Sequence, residues 1–166
     1  MQVLTRKNIA DRFTRAVKAE IPNQAGLEAW LAFLGAHASL LRRLDADLRI
    51  QKGASFNEFD VLAVLAAAGG TLRMTELAER AYSSRSGMTR RVDHLVARGL
   101  LCRASDETDG RAVVVELTDA GVRRVHELTP LHARAVMDLF VSRLTAGDIR
   151  AMSRALAKVT EATTYG

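Results

Sequence analysis

Between residues 83 and 117 the hydrophobic pattern changes period abruptly, and that change limits the folds open to the chain. Met88, Val92, Leu95 and Val96 fall at i, i+4, i+7 and i+8, the spacing of one helical face, while Arg85, Ser86, Thr89, Arg90 and Asp93 lie off it. Arg98-Gly99-Leu100 ends that helix, because a cation suits the last turn and glycine accepts the left-handed conformation just beyond. Two short runs rich in β-formers follow, 100–103 and 112–117, separated by Ser105-Asp106-Glu107-Thr108-Asp109-Gly110, a stretch dense in turn formers. The pattern predicts a helix with a polar outer face, then a β-hairpin with a polar tip.

The segments before this stretch read as helices. Ile9, Phe13, Ala16 and Val17 set a short basic amphipathic helix over residues 4–20, ending ahead of Ile21-Pro22-Asn23. Packing by its apolar side with a solvated basic face is the simpler expectation; contact with DNA backbone or an acidic partner is the alternative. From Gly26 to about Ile50, Trp30, Leu34, His37, Leu41, Leu44 and Leu48 follow a heptad seam, with Leu27, Leu31, Leu34, Ala38 and Leu41 in a second row beside it. Two adjacent apolar rows on one long helix exceed what a small domain needs, so the helix is expected to be shared between the domain core and a second subunit. Ser55-Phe56-Asn57-Glu58 has the form of a capping box opening a helix with Phe59, Leu62, Ala63 and Leu65 inward, which stops at Gly69-Gly70. Residues 72–74 suit a minor strand, and 75–81 a short helix that Thr75 can cap.

Past the hairpin, Thr118 and Asp119 suit the start of another long helix, with Val122, Val125, Val136, Leu139 and Phe140 as its buried positions. Pro130 is expected to bend or break that helix near Leu128. A last helix starts at Thr145, with Ile149, Met152, Leu156 and Val159 at helical spacing, and residues 163–166 are expected to fray.

Short helix, tight turn, longer helix with a polar face, then hairpin is the layout of a winged helix-turn-helix, whose second helix enters the major groove. The order of motifs FDVLAVL, LAER, SRSGMTRRVDHLVARGLL and DGRAVVVELTDAG from Phe59 to Gly121 resembles the MarR family of bacterial transcriptional regulators. The resemblance implies a mainly α fold with a small β-hairpin wing, in which a winged helix-turn-helix region, 55–117, is flanked by long dimerisation helices in 1–54 and 118–166. It implies a homodimeric regulator of double-stranded DNA, a repressor at a pseudo-palindromic operator, released by a small aromatic or phenolic ligand. Ser84, Arg85, Ser86, Thr89 and Arg90 would face the major groove; Arg111 would reach the minor groove while Asp109 shapes the wing. Many relatives carry an arginine where Gly110 stands here. Trp30, Phe33, His37 and Phe59 are the candidate ligand-pocket residues, with plain packing as the competing expectation for a Trp and a His on a heptad seam. Arg91 and His94, nearer the apolar stripe, suit structural roles.

Charge adds a constraint. The chain carries a formal charge of +5, yet residues 71–117 hold eight arginines against seven carboxylates, so any DNA contact must rest on which face each arginine occupies. The single cysteine, Cys102, excludes an intramolecular disulfide framework and fits a reducing cytoplasm; it is expected buried in the first wing strand, away from where oxidant-sensing relatives place theirs. No stretch approaches the roughly 20 apolar residues of a membrane span, and charged residues interrupt any leader-like region. No phosphate-cradling glycine loop, activated nucleophile or paired carboxylates point to an enzyme, and the four histidines show no metal spacing, so no cofactor or metal is expected. The alternatives to a ligand-released repressor are a constitutive DNA-binding regulator and a winged domain used for protein contacts.

Overall fold

The computed structural model describes residues 6–21, 23–105 and 113–164, with side chains between 11 and 161. Its elements are α1 (Arg6–Glu20), α2 (Gln24–Lys52), α3 (Phe56–Ala67), β1 (Thr71–Arg73), α4 (Met74–Arg80), α5 (Arg85–Ala97), β2 (Leu101–Ser105), β3 (Val113–Leu117), α6 (Asp119–Leu139) and α7 (Ala146–Thr164), with a 3-10 turn, Val141–Arg143, ahead of α7. The class is the expected one, mainly helical with a small sheet carrying the wing. Among the described residues no helix is long and apolar enough to cross a membrane. The chain divides into two compact units, residues 1–41 and 42–166.

In the first unit, Asn23 starts α2: its Oδ1 accepts the Gly26 amide at 3.1 Å. Leu27 is buried, but Trp30, Leu31, Phe33 and Leu34 stay exposed on α2, as does Phe13 on α1. Of the apolar positions of α1 with described side chains, Phe13 is exposed and Val17 half-buried, while the Ile9 side chain lies outside the described residues.

The second unit holds the core. Leu48 of α2, Val61, Leu62 and Leu65 of α3, Leu77 of α4, Met88, Val92 and Leu95 of α5, Val115 of β3 and Leu128 of α6 are almost completely buried. Those on α5 are three of the four positions whose spacing defines its apolar face. The sheet is antiparallel in the order β1-β3-β2, with Leu72 and Arg103 flanking Val115 on either side, so β1 joins the predicted hairpin as a third strand. Asp45 of α2 accepts the Phe56 amide at 2.8 Å and thus caps the start of α3 from a neighbouring helix. Its hydrogen bond to Arg49, then that amide, holds its carboxyl below the usual range.

The turn out of α5 fixes the hairpin. Gly99 takes φ +69°, and the Gly99 and Leu100 amides donate back to the Val96 and Leu95 carbonyls, closing the helix as the sequence requires. The Thr118 amide then donates to Leu100 O at 3.1 Å and its hydroxyl to Gly99 O at 2.7 Å, while the same hydroxyl accepts the Gly121 amide. A Cβ on Gly121 would stand 2.1 Å from Leu100 O, so the first turn of α6 lies directly on the chain leaving α5.

Several expectations need correction. Thr75 does not cap α4, which begins at Met74; instead Glu76 accepts the Arg73 amide at 3.2 Å. The Ser55–Glu58 box closes only halfway: Ser55 Oγ accepts the Glu58 amide at 3.0 Å, but the Glu58 side chain turns into the interior, where two arginines bind it. Pro130 does not end α6, because it and His126, whose carbonyl loses its helical donor, are both exposed and water can serve that oxygen. Val122 is exposed on α6, and Gly121 and Leu128 are buried in its place. Cys102 is exposed rather than buried, since β2 runs past the core after Leu101. α7 extends through Thr164, and residues 165–166 of the end expected to fray lie outside the described residues.

His132 of α6 lies against the rings of Phe59 (centroids 4.3 Å apart) and Phe56 (6.0 Å), and its Nδ1 is buried with no hydrogen-bond partner among the described residues. Burial pushes its pKa below the ordinary 6.5. The folded state thus prefers the neutral ring, so its stability is full above the unfolded-state value and is lost as pH falls through it. The melting temperature is expected to drop between about pH 7.5 and about pH 5.5 more in the parent than in His132→Phe; equal drops would contradict the assignment. Gly121→Ala is expected to cost about 3 kcal/mol in urea unfolding, because Leu100 O is backbone and cannot step aside. Gly147→Ala, which meets only ordinary contacts near the start of α7, should be neutral or gain up to about 1 kcal/mol.

Candidate nucleic-acid interface

The side chains proposed to face the major groove lie on α5 or cap it, and its start is built by Ser84. Ser84 Oγ accepts the Gly87 amide at 3.2 Å and sits 3.4 Å from Ser86 Oγ, so this hydroxyl first serves the helix and offers only its remaining valence outward. With Met88, Val92 and Leu95 buried, Arg85, Ser86, Thr89 and Arg90 all emerge on the exposed side. Thr89 Oγ1 donates to Arg85 O at 2.9 Å, leaving its lone pairs to accept from outside. Tyr82, in the turn before α5, takes φ +47° and is exposed, a strained position for a residue with a Cβ.

The other formal charges of α5 and of the residue that closes it are paired. Arg91 Nη1 lies 3.4 Å from Asp60 of α3, joining two helices, and fits the structural role expected of it. Burial pushes the Asp60 carboxyl above its usual range, and the Arg91 charge offsets only part of this. Arg103 of β2 pairs with Asp93 at 2.6 Å, tying the base of the wing to α5 and neutralising the one carboxylate of that helix. Arg98 binds Glu58. Among the described residues, Arg85 and Arg90 have no ion-pair partner, so the uncompensated positive charge of α5 lies on its exposed N-terminal half.

A cleft of about 430 Å³ separates the first turn of α3 from α5, with Asn57, Arg90, Arg91 and His94 among its walls. A second depression lies under the wing, bounded by Arg73, Thr75, Thr89, Asp93, Arg103 and Val113. Neither is visible as a linear motif, because the walls of the first come from residues 55–58 and 87–95 and those of the second are spread over residues 73–113. Asp109 and Arg111 fall outside the described residues, as do Asp106, Glu107 and Gly110.

The aromatic candidates separate into two groups. Trp30, Phe33 and His37 stack in series along α2, with centroids 6.1 and 6.0 Å apart. Phe59 belongs to the core of the second unit and packs on His132. Among the described residues no group of three potential ligands could hold a metal ion.

The MarR family profile matches residues 52–112, from the end of α2 through the hairpin tip. A curated relative, the HTH-type transcriptional repressor MdtR of Bacillus subtilis (strain 168), is 29% identical over 93 residues, a match covering 56% of this chain and 59% of that protein. Among solved structures, the MarR family transcriptional regulator AbsC from Streptomyces coelicolor superposes over 100% of both chains with TM-score 0.78 at 22% identity. Sco3205, a MarR family transcriptional regulator from the same organism solved in complex with DNA, matches with TM-score 0.77 and 28% identity over 82% of this chain and 86% of its own. The profile falls on the winged unit whose packing is described above, and the structural likeness extends to the helices around it: the chain is similar to MarR family regulators in its winged region and shares their fold.

Proposed function

We propose that the protein is a sequence-specific DNA-binding transcriptional regulator that acts as a homodimer, with α5 of each copy in a major groove and the wing beside it. The observation that carries this reading is the distribution of charge on α5. Asp93, Arg91 and Arg98 are consumed by internal pairs, whereas Arg85 and Arg90 stand unpaired on the exposed face with Ser86 and Thr89 between them. A guanidinium can grip guanine or phosphate with two parallel bonds, and the hydroxyls can serve phosphates. Arg111 would add a minor-groove contact, with Asp109 shaping the wing. The exposed Trp30, Leu31, Phe33 and Leu34 supply an apolar surface for the second copy, and a two-fold dimer would read half-sites about 34 Å apart. By the same reading the protein is a cytoplasmic repressor, released by a small aromatic ligand.

A second reading, regulation without a ligand, draws support from the aromatic residues themselves. Trp30, Phe33 and His37 stack on one another, and Phe59 is occupied by His132. Melting curves with a panel of aromatic acids separate the two, since a ligand that binds only the folded form raises the midpoint.

Binding to a selected palindromic duplex is expected to fall by about three orders of magnitude between about 50 and about 200 mM salt if each copy neutralises roughly three phosphates. Weak binding that is insensitive to salt would overturn the proposal. Arg85→Ala should cost about 1–3 kcal/mol and relax base preference within the half-site, while Arg91→Ala should chiefly lower the unfolding midpoint. Replacing both Trp30 and Leu34 by Glu should give a monomer in sedimentation that binds a single half-site only; a persistent dimer would remove α2 from the interface.

A further inference from the structure

Glu58 is the one charged residue buried among the described residues, at 5% exposure, and both of its oxygens are taken. Oε1 accepts Arg124 Nε of α6 at 2.9 Å, and Oε2 accepts Nη1 of Arg98, the residue that closes α5. Arg124 extends the chain of contacts. Its Nη2 donates to the carbonyl of Lys52, the last residue of α2, at 2.9 Å, and its Nη1 to Glu127 at 2.9 Å, which also receives Lys52 Nζ at 3.0 Å. One carboxylate near the start of α3 therefore connects the end of α5 with the start of α6 and the end of α2.

Stability alone is a poor explanation for such a group. Desolvating the Glu58 carboxylate and most of the Arg124 guanidinium costs much of what their attraction returns, and well-packed apolar side chains of similar volume often serve stability as well or better. Direction is what the ions add. A planar guanidinium held through Nε on one side and Nη2 on another has its orientation fixed, and both oxygens of Glu58 are committed to opposite helices. Arg91–Asp60, the other link between α3 and α5, is longer at 3.4 Å and single-stranded.

We infer that Glu58 is a positioning residue: through Arg98 and Arg124 it sets the angle of α5 against α6 and the end of α2, and thereby the separation of half-sites that the dimer accepts. The inference rests on the DNA-binding reading and adds its geometric control. Glu58 itself touches no DNA.

The test is selection from a random duplex library with the parent, Glu58→Gln and Arg98→Gln. Arg98→Gln cuts the α5 arm yet leaves Glu58 paired with Arg124, so it carries the test alone should Glu58→Gln fail to fold by circular dichroism. The parent is expected to enrich an inverted repeat with a single half-site separation. The variants should enrich the same half-site with separations shifted or spread by a base pair or more, and bind the parental repeat about tenfold more weakly. A variant that keeps the parental separation, with affinity loss matching only its loss of folded protein, reduces Glu58 to a stability element and overturns the inference. No enrichment by the parent would instead overturn the DNA-binding reading, a result distinct from the first.

Discussion

The close crossing of Leu100 beneath the first turn of α6 holds the winged region together. The Leu100 carbonyl accepts the Thr118 amide and leaves no room for a side chain at Gly121, while the Thr118 hydroxyl bridges Gly99 O and the Gly121 amide. Three elements depend on this one junction: the end of α5, the start of β2 and the start of α6. Its requirements explain why the recognisable residues of the chain cluster where they do. Arg98-Gly99-Leu100 and Thr118 through Gly121 are separate as motifs but one clasp in space. Gly99 is needed for its positive φ, Gly121 for its missing side chain, and Thr118 because a hydroxyl can donate to one backbone and accept from another.

The charge balance of residues 71–117 acquires its meaning only after folding. In composition the region is nearly neutral, which argues little for a polyanionic partner. The fold sorts those charges by face. Asp93 is spent on Arg103, and carboxylates from α3 draw Arg91 and Arg98 toward the interior side of α5. What remains outward at the helix start is positive, and it lies next to hydroxyls rather than carboxylates. A positive face can thus arise on one helix by internal pairing of that helix's other charges, without any excess of basic residues.

How much of this was legible in the sequence followed the range of the interaction responsible. The start of α5 at Ser84, its stop at Gly99 and the Thr145 cap of α7 depend on contacts within about four residues, and the strands on either side of the tip pair within 16, so periodicity with turn chemistry reached them. Glu58 escaped because its local spacing from Ser55 fits a capping box equally well; only Arg98 and Arg124, 40 and 66 residues away, decide where the side chain goes. Cys102 failed for a related reason: alternation along a strand tells which face a residue occupies, not how far the neighbouring core extends. Val122 has the spacing of a core position, but the turn beside it is already filled by the Leu100 crossing through Gly121. The exposed residues of α5 were legible in advance as the complement of a well-marked apolar stripe, whereas the two clefts beside them depend on tertiary placement.

The long α2 helix shows the limit of what one chain can satisfy. A single heptad seam runs along it, yet Leu44 and Leu48 are buried at 8% and 1% exposure while Trp30 and Leu34, at the same spacing, remain 51% and 40% exposed. Spacing alone cannot produce such a division, because the apolar side chains are equally costly to hydrate at either end. Its C-terminal part has α3 and α6 to cover it, with Asp45 and the Lys52 carbonyl fastened to those helices by directed hydrogen bonds. Its N-terminal part carries the same pattern without that cover. Under the dimer reading these two halves have complementary tasks, one presenting a surface to the second copy and the other receiving the ionic junction that leads to α5. The orientation of α5 would then depend on the junction at Arg124, which holds the end of α2 through the Lys52 carbonyl. A flexible connection there would leave each half-site contact intact and still lose the palindrome, since two weakly oriented arms gain little from being joined.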